Sequence, residues 1–490
     1  MNRSDAFRPD AFLQLRNVAK WLTVVAIGLA LVLVFLPPLQ AKFTSDTFVG
    51  FERFRDRSPY DLLALFVPKP DQWYRPLSDI AFWLEIRAFG TEAIGYHLVA
   101  LTGHIASTAL VFLLTERLVR SRKAALCAAL VFLANPHAQE PLWFIADLHS
   151  VLSAPILLAC LLVYSTGRRK SAWLLVVLAL GVDEAGLLAI PMIGLYELIV
   201  ACPTARWTSL KTSLVRVAPF AVIAVAYLAL RVLAGSMGDI TEVSNICRTP
   251  SCLAVAAGEY FNRFLVRPDF VLESLWTHRW RYVALGTVAV VFVLLVTRPW
   301  AWREKRIPAF VVAWLVVATS YYVLSLWPYI ADRFLYLPDC ALAVLIGVVV
   351  ARAGDAWPEW SRVRRWAGSG AACALIVWSA AGMWMLFNRG QLWIDAGQQA
   401  ASIVREIHTL VPDPPRDAVF VFRNPPIMAS PAIPPGNTGA YVFANIMGLD
   451  SAIRLEYGRS DLTVVTGDAS SAAGKVFVFE LRNDSVVQVP

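Results

Sequence analysis

The chain has 490 residues, of which 58% are hydrophobic and only 16% are charged, and its formal net charge is +8. A soluble domain is usually about one quarter charged, so this composition excludes a chain that is soluble throughout. The positive charge does not predict a nucleic-acid partner, because Lys and Arg are spread over separate short segments rather than gathered in one patch.

Apolar runs of bilayer-crossing length predict a polytopic α-helical membrane protein with about eleven transmembrane helices, since about 20 apolar residues cross roughly 30 Å of hydrocarbon. In chain order the runs are Trp21–Leu39, Ile94–Leu114, Ala124–Leu133, Val151–Tyr164, Ala172–Val182, Leu187–Val200, Leu214–Leu233, Tyr282–Val296, Ala309–Leu326, Leu342–Val350 and Ala371–Phe387. The first offers no small-residue cleavage site, so we expect it to stay as an anchor. The fifth and sixth could instead form one bent hairpin, because the fifth ends at Asp183–Glu184.

Basic residues in every second connection predict an inside N-terminus and an outside C-terminus, because short segments rich in Lys and Arg resist translocation. The basic groups are Arg3, Arg8, Arg16 and Lys20; Arg117, Arg120, Arg122 and Lys123; Arg168, Arg169 and Lys170; Arg206, Lys211 and Arg216; Arg298, Arg303, Lys305 and Arg306; and Arg352, Arg362, Arg364 and Arg365. The outer segments are then a long first loop (about 40–93), a turn at 134–150, a loop at 235–280 and everything after about 390. Cys247 and Cys252 lie in the third of these segments, where either a disulfide or two free thiols fits the sequence.

The sequence changes character after residue 390, which predicts a transmembrane domain at 1–390 and a small α/β extracytoplasmic domain at 391–490. Helically spaced apolar residues around 400–410 end at Pro412, and strand-like runs follow at Ala418–Phe422, Tyr441–Ala444, Leu462–Val465 and Lys475–Leu481. This domain carries no catalytic motif, so capping the membrane part or positioning an acceptor is the expected role.

Three outer segments carry candidate catalytic or binding side chains. Asp46 follows the first apolar run directly, and a carboxylate there can act as a general base, although an acid at a helix end is more often solvated and idle. The turn after the third run holds His137, Glu140, Asp147 and His149, and such groups at membrane depth are costly unless paired, hydrated or used. His137, Glu140 and His149 could also bind a metal ion, but their spacing matches no standard ligand motif.

The third segment, Trp327–Pro338, contains Asp332, Arg333 and Tyr336. An Arg at the lip of a helical bundle can bind a phosphate through forked hydrogen bonds. The alternative is an ion pair between Asp332 and Arg333, with Tyr336 in the aromatic belt of the membrane. The three segments together favour a lipid-phosphate substrate, whose tail stays in the bilayer while its head reaches water.

Four motifs make the chain resemble the GT-C superfamily of integral-membrane glycosyltransferases, especially bacterial relatives of the protein O-mannosyltransferase and TMTC type. They are Phe43–Phe48 after the first run, Tyr74–Ser78 followed by Gly95–Leu98 (similar to "YRPL … YHL"), Pro136–Glu140 (similar to "HPVHxE") and Asp332–Pro338 (similar to "ERYLYLP"). The resemblance covers about residues 40–345. The order, the spacing and the predicted side of the membrane all agree.

The resemblance implies sugar transfer from a polyprenyl-phosphate carrier to a lipid, glycan or protein acceptor at the outer face of a bacterial inner membrane. It implies that Asp46 is the general base and that Arg333 holds the carrier phosphate with help from Arg75. His137 and Glu140 would shape the donor site, and Glu184 occupies an acid position. The resemblance also places Tyr336 in the donor-site motif. No cofactor is required by these motifs, and a divalent metal ion stays an open option.

Two departures from the family pattern bear on the second catalytic group. The usual acidic pair is reduced to Asp46, which is followed by Thr47, and Leu148–Ser150 stands where an "RxD" motif is expected. Asp147 or His149 are the candidates to replace the missing group. A transporter or flippase for lipid-linked sugars and a non-catalytic envelope-assembly protein on the same scaffold are the two alternative functions.

Overall fold

A computed structural model describes residues 28–70, 72–201, 207–236, 260, 306–326, 331–356, 361–424, 440, 442–443, 446–467, 474–482 and 485–489. The eighth predicted run, Tyr282–Val296, and both cysteines of the candidate disulfide, Cys247 and Cys252, lie outside these residues.

The described residues are mostly helical. The helices of the membrane part and the helix that extends from it are α1 (Gly28–Gln40), α2 (Asp46–Phe54), α3 (Pro76–Phe89), α4 (Ala93–Val119), α5 (Arg122–Leu133), α6 (Gln139–Trp143), α7 (Leu148–Ser165), α8 (Arg169–Val182), α9 (Ala189–Leu195), α10 (Trp207–Leu233), α11 (Arg306–Leu326), α12 (Arg333–Ala356) and α13 (Arg362–Leu410). Short 3-10 turns cover Pro59–Phe66, Pro136–Ala138, Ile145–Asp147 and Glu184–Leu188, and a π-helical turn, Tyr196–Ala201, extends α9.

Within the described part of the chain, seven helical segments are long and apolar enough to cross a membrane, and the chain is a multi-pass membrane protein. They coincide with the second, fourth, sixth, seventh, ninth, tenth and eleventh predicted runs. The third and fifth runs form the shorter helices α5 and α8, of 12 and 14 residues. Polar residues shorten both helices, because Ser121 caps the start of α5 through the N–H of Ala124, and α8 ends where Asp183 caps the following turn.

The helices alternate in direction, so the side chains singled out from the sequence collect at one end of the bundle. The helices α5, α8 and α11 end there, and α4, α7 and α12 begin there. Two described basic connections, 117–123 between α4 and α5 and 168–170 between α7 and α8, lie at the other end, where Arg117 donates to the carbonyl of Ser165. This separation of charge agrees with the alternation of basic connections in the sequence.

The long first loop contains two further helical stretches. Pro59–Phe66 is a 3-10 turn whose start is capped by Ser58 and Asp61, and Pro76–Phe89 is α3. Trp83 is buried in α3 and donates its indole N–H to the carbonyl of Arg57. The loop is therefore a packed layer over the end of the bundle.

The helix α13 has 49 residues and would measure about 70 Å at 1.5 Å per residue, far longer than a membrane crossing requires. It joins the eleventh predicted run to the helix predicted at 400–410, so residue 390 lies inside a helix. A single Gly390 does not interrupt the hydrogen-bond ladder, whereas Pro412 lacks the N–H that continuation would need. The helix thus extends from the bundle into the C-terminal region.

The described residues of the C-terminal region form a four-stranded sheet and one crossover helix. Its elements are β1 (Val419–Phe422), α14 (Ile446–Tyr457), β2 (Thr463–Thr466), β3 (Val476–Arg482) and β4 (Ser485–Val489). The strand order is β2-β1-β3-β4, with β1 parallel to both neighbours and β4 antiparallel to β3. A parallel pair needs a long crossover, and α14 supplies it between β1 and β2.

One predicted strand does not join the sheet. In the run Tyr441–Ala444, the described residues Val442 and Phe443 lie outside the four strands and are buried. The Phe443 ring packs against Phe48 of the first loop, at 6.1 Å between ring centroids. The apolar pattern of this run therefore arises from burial against the membrane part.

Candidate functional site

Asp46 begins α2 directly after a residue with unusual backbone geometry. Ser45 has φ +47° and ψ −126°, a backbone conformation that residues other than glycine rarely adopt. Its N–H donates to the carbonyl of Val442 at 2.9 Å, and its Oγ donates to Asp46 Oδ1 at 3.3 Å. Ser45 is fully buried and Asp46 is half-buried, so the carboxylate is held at the edge of a packed segment.

The turn between α5 and α7 is a set of short helices broken by prolines. Asn135 caps the first of them by accepting the N–H of His137, and Pro136 and Pro141 prevent one continuous helix. The His137 ring nitrogen Nδ1 lies 2.7 Å from Asp339 Oδ2, and both side chains are buried. This pairing fixes the turn to α12 at the level of the predicted donor site.

Glu140 and Arg333 are brought together by this turn. Glu140 Oε2 accepts the backbone N–H of Arg333 at 2.9 Å and lies 3.8 Å from its guanidinium Nη1. Burial raises the pKa of Glu140 to about 7, although the charge of Arg333 opposes the change. Asp332, the residue before Arg333, accepts a hydrogen bond from Gln139 Nε2 at 3.1 Å.

Arg75 is bound to two consecutive acids at the end of α8. Its Nε and Nη2 donate to the two carboxylate oxygens of Glu184 at 3.0 and 2.5 Å, and Nη2 lies 3.5 Å from Asp183 Oδ1. The guanidinium also stacks on Trp73, 4.6 Å from the ring centroid. Burial and the neighbouring Glu184 raise the pKa of Asp183 to about 8, although Arg75 opposes the change.

Asp147 and His149 pair with each other near both arginines. Asp147 Oδ1 accepts from Ser150 Oγ at 2.7 Å and is 3.1 Å from His149 Nε2. Arg75 and Arg333 are both close enough to interact electrostatically with Asp147 and with His149. The two candidates for the missing catalytic group are thus an adjacent pair facing both cations.

The Asp46 segment and the turn contact each other directly. The helix α2 packs against Ile145–Asp147. The buried ring of His97 bridges the two segments, with Nε2 3.0 Å from the carbonyl oxygen of Ala41 and Nδ1 3.2 Å from that of Leu142. Sequence reasoning noted His97 only as part of a motif, and the structure gives it this bridging position.

Tyr336 is not brought to this group. It is buried in α12, its hydroxyl pairs with His104 Nδ1 at 2.9 Å, and its ring packs near Phe132. A role for Tyr336 in donor binding stays a prediction from the sequence motif.

Among the described residues, no group of three or more His, Cys, Asp or Glu side chains could hold a metal ion. The three residues considered from the sequence are engaged elsewhere: His137 with Asp339, Glu140 with Arg333 and His149 with Asp147. In the Asp46 segment and the turn, three buried oxygens have no hydrogen-bond partner among the described residues, namely Thr47 Oγ1, Glu140 Oε1 and Asp147 Oδ2. They are available to hydroxyl groups of a bound molecule.

Sequence reasoning missed Gln139, Asp339 and Trp393. Gln139 donates to Asp332 and accepts the indole N–H of Trp393 at 2.5 Å, and Asp339 pairs with His137. A single acidic residue in an apolar helix requires a partner, so the sequence around Asp339 could have predicted a buried polar contact there. Trp393 carried no such signal, because tryptophans are frequent in this chain.

The fold has relatives among solved structures of membrane enzymes. The crystal structure of ArnT from Cupriavidus metallidurans bound to undecaprenyl phosphate matches with a TM-score of 0.52 and 14% identity, over 95% of this chain and 94% of that chain. The apo state of the same protein matches with a TM-score of 0.50 and 15% identity, over 92% and 87% of the two chains. The chain has the GT-C fold.

In sequence, this chain is 30% identical over 145 residues to the protein O-mannosyl-transferase Tmtc1 of Drosophila melanogaster. That match covers 28% of this chain and 17% of the length of the relative, so it concerns a minor part of both proteins. No family model matches the chain. The likeness to the solved structures therefore concerns the fold, and the ordered sequence motifs agree with it.

Proposed function

We propose that the protein is a glycosyltransferase that moves a sugar from a polyprenyl-phosphate carrier to an acceptor hydroxyl at the outer face of the bacterial inner membrane. One observation carries the proposal: the helix that starts at Asp46 packs on Ile145–Asp147, and Asp147 interacts with both Arg75 and Arg333. The helix of the proposed base and the two arginines are thus linked through one segment, Ile145–Asp147. The undecaprenyl phosphate bound by ArnT supports a carrier of this chemical class.

The reaction follows from the charges of these groups. The acceptor oxygen attacks the anomeric carbon, the bond between that carbon and the phosphate oxygen breaks, and the bonding electrons leave with the carrier phosphate. Asp46 takes the proton of the acceptor hydroxyl, and Arg333 stabilises the charge that develops on the phosphate. A single displacement of this kind inverts the configuration at the anomeric carbon.

The two arginines have different environments and therefore different proposed roles. Arg333 belongs to the motif for which the resemblance implies phosphate binding, and its guanidinium lies 3.8 Å from the buried Glu140, so we assign it to direct phosphate binding. Arg75 is held by Glu184 and Asp183, so we assign it to orienting the site and to its electrostatic field. Asp147 and His149 face both cations and are the candidates for contacts to the sugar.

The orientation of the site toward the periplasm belongs to this proposal. It is supported by the basic residues at the opposite end of the bundle, since basic connections stay in the cytoplasm. A transmembrane domain up to about residue 390 and a C-terminal domain that covers the site from outside complete the proposal.

The direct test compares membranes that carry the wild-type chain or Asp46→Asn, with mass spectrometry of the cell-envelope glycans as the readout. We expect the sugar modification to be present with the wild type and lost with Asp46→Asn. Asp56→Asn is the matched control, because the Asp56 side chain in the same loop is 83% exposed. Modification that persists with Asp46→Asn would remove Asp46 from the mechanism, and identical glycans with and without the protein would refute glycosyl transfer.

A further inference from the structure

One face of α13 contacts both halves of the candidate site. Gly390, Trp393 and Gly397 follow each other at spacings of three and four residues, which places them on one side of a helix. All three are buried. Glycine in a helix interior costs about 1 kcal/mol relative to alanine, so two glycines on one face indicate a close approach of another segment.

The glycines of this face pack against the segment that leads to Asp46. A Cβ atom on Gly397 would lie 2.6 Å from the backbone nitrogen of Lys42 and 2.8 Å from its carbonyl oxygen, closer than real Cβ contacts. A Cβ atom on Gly390 would collide with the ring of Pro38. The segment from Pro38 to Lys42 therefore lies directly on the helix. This close approach is possible because glycine has no side chain at positions 390 and 397.

The tryptophan of this face contacts the turn that holds Arg333. Its ring stacks on Phe144 at 5.3 Å between centroids, and its indole N–H donates to Gln139 Oε1. Gln139 in turn donates to Asp332, the residue before Arg333. A short chain of hydrogen bonds therefore links Trp393 to the start of α12.

We propose that the α13 face formed by Gly390, Trp393 and Gly397 is a positioning element that sets the Asp46 segment relative to the Arg333 segment. The inference rests on the proposed function, because it assigns the two segments to the base and to the phosphate. Gly390 and Gly397 position the segment of the base, and Trp393 positions the segment that binds the carrier. None of the three residues touches the reacting atoms.

The two halves of the proposal separate in the kinetics. Gly397→Ala moves the base, so we expect kcat to fall at least tenfold while the affinity for undecaprenyl phosphate stays within twofold of the wild type. Trp393→Phe keeps the ring stacking on Phe144 but removes the N–H donor, so we expect at least a fivefold loss of affinity for undecaprenyl phosphate. A general loss of structure would instead move both quantities together.

Matched controls exist on the same helix. Gly370→Ala adds a methyl group at an exposed position where nothing lies within 4 Å, and Trp384→Phe changes a tryptophan that is 59% exposed. Both controls should keep wild-type kcat and carrier affinity. Affinity is measured by the shift of the melting temperature of the purified full chain with undecaprenyl phosphate, and kcat by sugar transfer.

Wild-type kcat in Gly397→Ala, or equal losses of kcat and affinity in both variants, would overturn the positioning role. If Gly397→Ala does not fold, Trp393→Phe decides: a carrier affinity within twofold of the wild type would overturn the proposal. A wild-type chain that binds undecaprenyl phosphate without transferring sugar would instead refute the proposed function. The comparison of Trp393→Phe with the wild type would still test the positioning role in that case, because it measures carrier binding and not sugar transfer.

Discussion

The N–H of Ser45 donates a hydrogen bond to the carbonyl of Val442, which ties the residue before Asp46 to the C-terminal region. The same two parts of the chain meet at the rings of Phe48 and Phe443 and at an ion pair between Glu52 and Arg454, at 3.5 Å. Ser45 keeps a backbone conformation that costs free energy on its own. Contacts from the C-terminal region therefore hold the start of α2 in place.

Gly448→Val tests this contact. A Cβ atom on Gly448 would lie 3.0 Å from the Ser45 carbonyl oxygen and 3.1 Å from its carbonyl carbon, so a valine must displace the backbone next to Asp46. We expect at least a tenfold loss of sugar transfer and a lower melting temperature. Met447→Val is the control, because Met447 precedes Gly448 in α14 and is 60% exposed. Equal activity of the two variants would contradict the contact.

Arg75→Gln should destabilise the protein, because it leaves Glu184 and Asp183 without their cation in a largely buried place. We expect the free energy of unfolding to fall by up to about 3 kcal/mol. The loss is smaller than for a fully buried ion pair, because Arg75 is partly exposed. The double variant Arg75→Gln with Glu184→Gln should recover part of it. Arg122→Gln, which breaks the exposed pair with Glu116, should cost less than about 1 kcal/mol. Thermal unfolding in detergent measures all three, and equal losses for Arg75→Gln and Arg122→Gln would contradict this account.

Glu85→Met should stabilise the protein at neutral pH. Glu85 is 5% exposed, both carboxyl oxygens have no hydrogen-bond partner among the described residues, and burial raises its pKa to about 9. The raised pKa means that the folded state binds the proton more tightly than the unfolded state. The contribution of Glu85 to stability is thus greatest below about pH 4.5 and is lost as the pH rises toward 9.

We therefore expect the free energy of unfolding of Glu85→Met to exceed that of the wild type by about 1–3 kcal/mol between pH 7 and 9, which raises its melting temperature. The variant should also lose the pH dependence of stability that Glu85 causes. Thermal unfolding across this pH range is the measurement, with the exposed Glu92→Gln as the control for removing one charge from the same region. A melting temperature of Glu85→Met at or below that of the wild type throughout the range would show that Glu85 has a stabilising partner.

His97→Phe should separate the two segments that the ring bridges. The variant would lose the ring that lies against the carbonyls of Ala41 and Leu142, including the hydrogen bond that its N–H donates, at a cost of about 1–3 kcal/mol, and sugar transfer should fall. His97→Gln should recover part of both losses, because its amide group has two N–H donors. His408→Phe is the control, since His408 is partly exposed in the C-terminal half of α13. Equal behaviour of the Phe and Gln variants at position 97 would show that ring volume, not hydrogen bonding, matters there.

Several features of this protein follow from the sequence because they depend on local or one-dimensional physics. Apolar runs bury themselves in lipid wherever they stand, so seven of the predicted runs appear as helices of membrane-crossing length within the described part of the chain. Prolines end helices locally. This explains why α13 ends at Leu410, shortly before Pro412, and why the turn around Pro136 and Pro141 consists of short helices. The ordered motifs also indicated the GT-C fold, which the structural relatives confirm.

Tertiary structure decided the partners of the charged side chains. Nothing local distinguishes Glu184 as the partner of Arg75, or Asp339 as the partner of His137, because these pairs join segments far apart in the chain. The apolar character of Val442 and Phe443 likewise fits a strand or a buried contact equally well, and only the packing against the first loop selects the contact. Hydrophobicity therefore determined where the helices run, whereas steric fit and charge pairing between distant segments determined which charged side chains pair with each other.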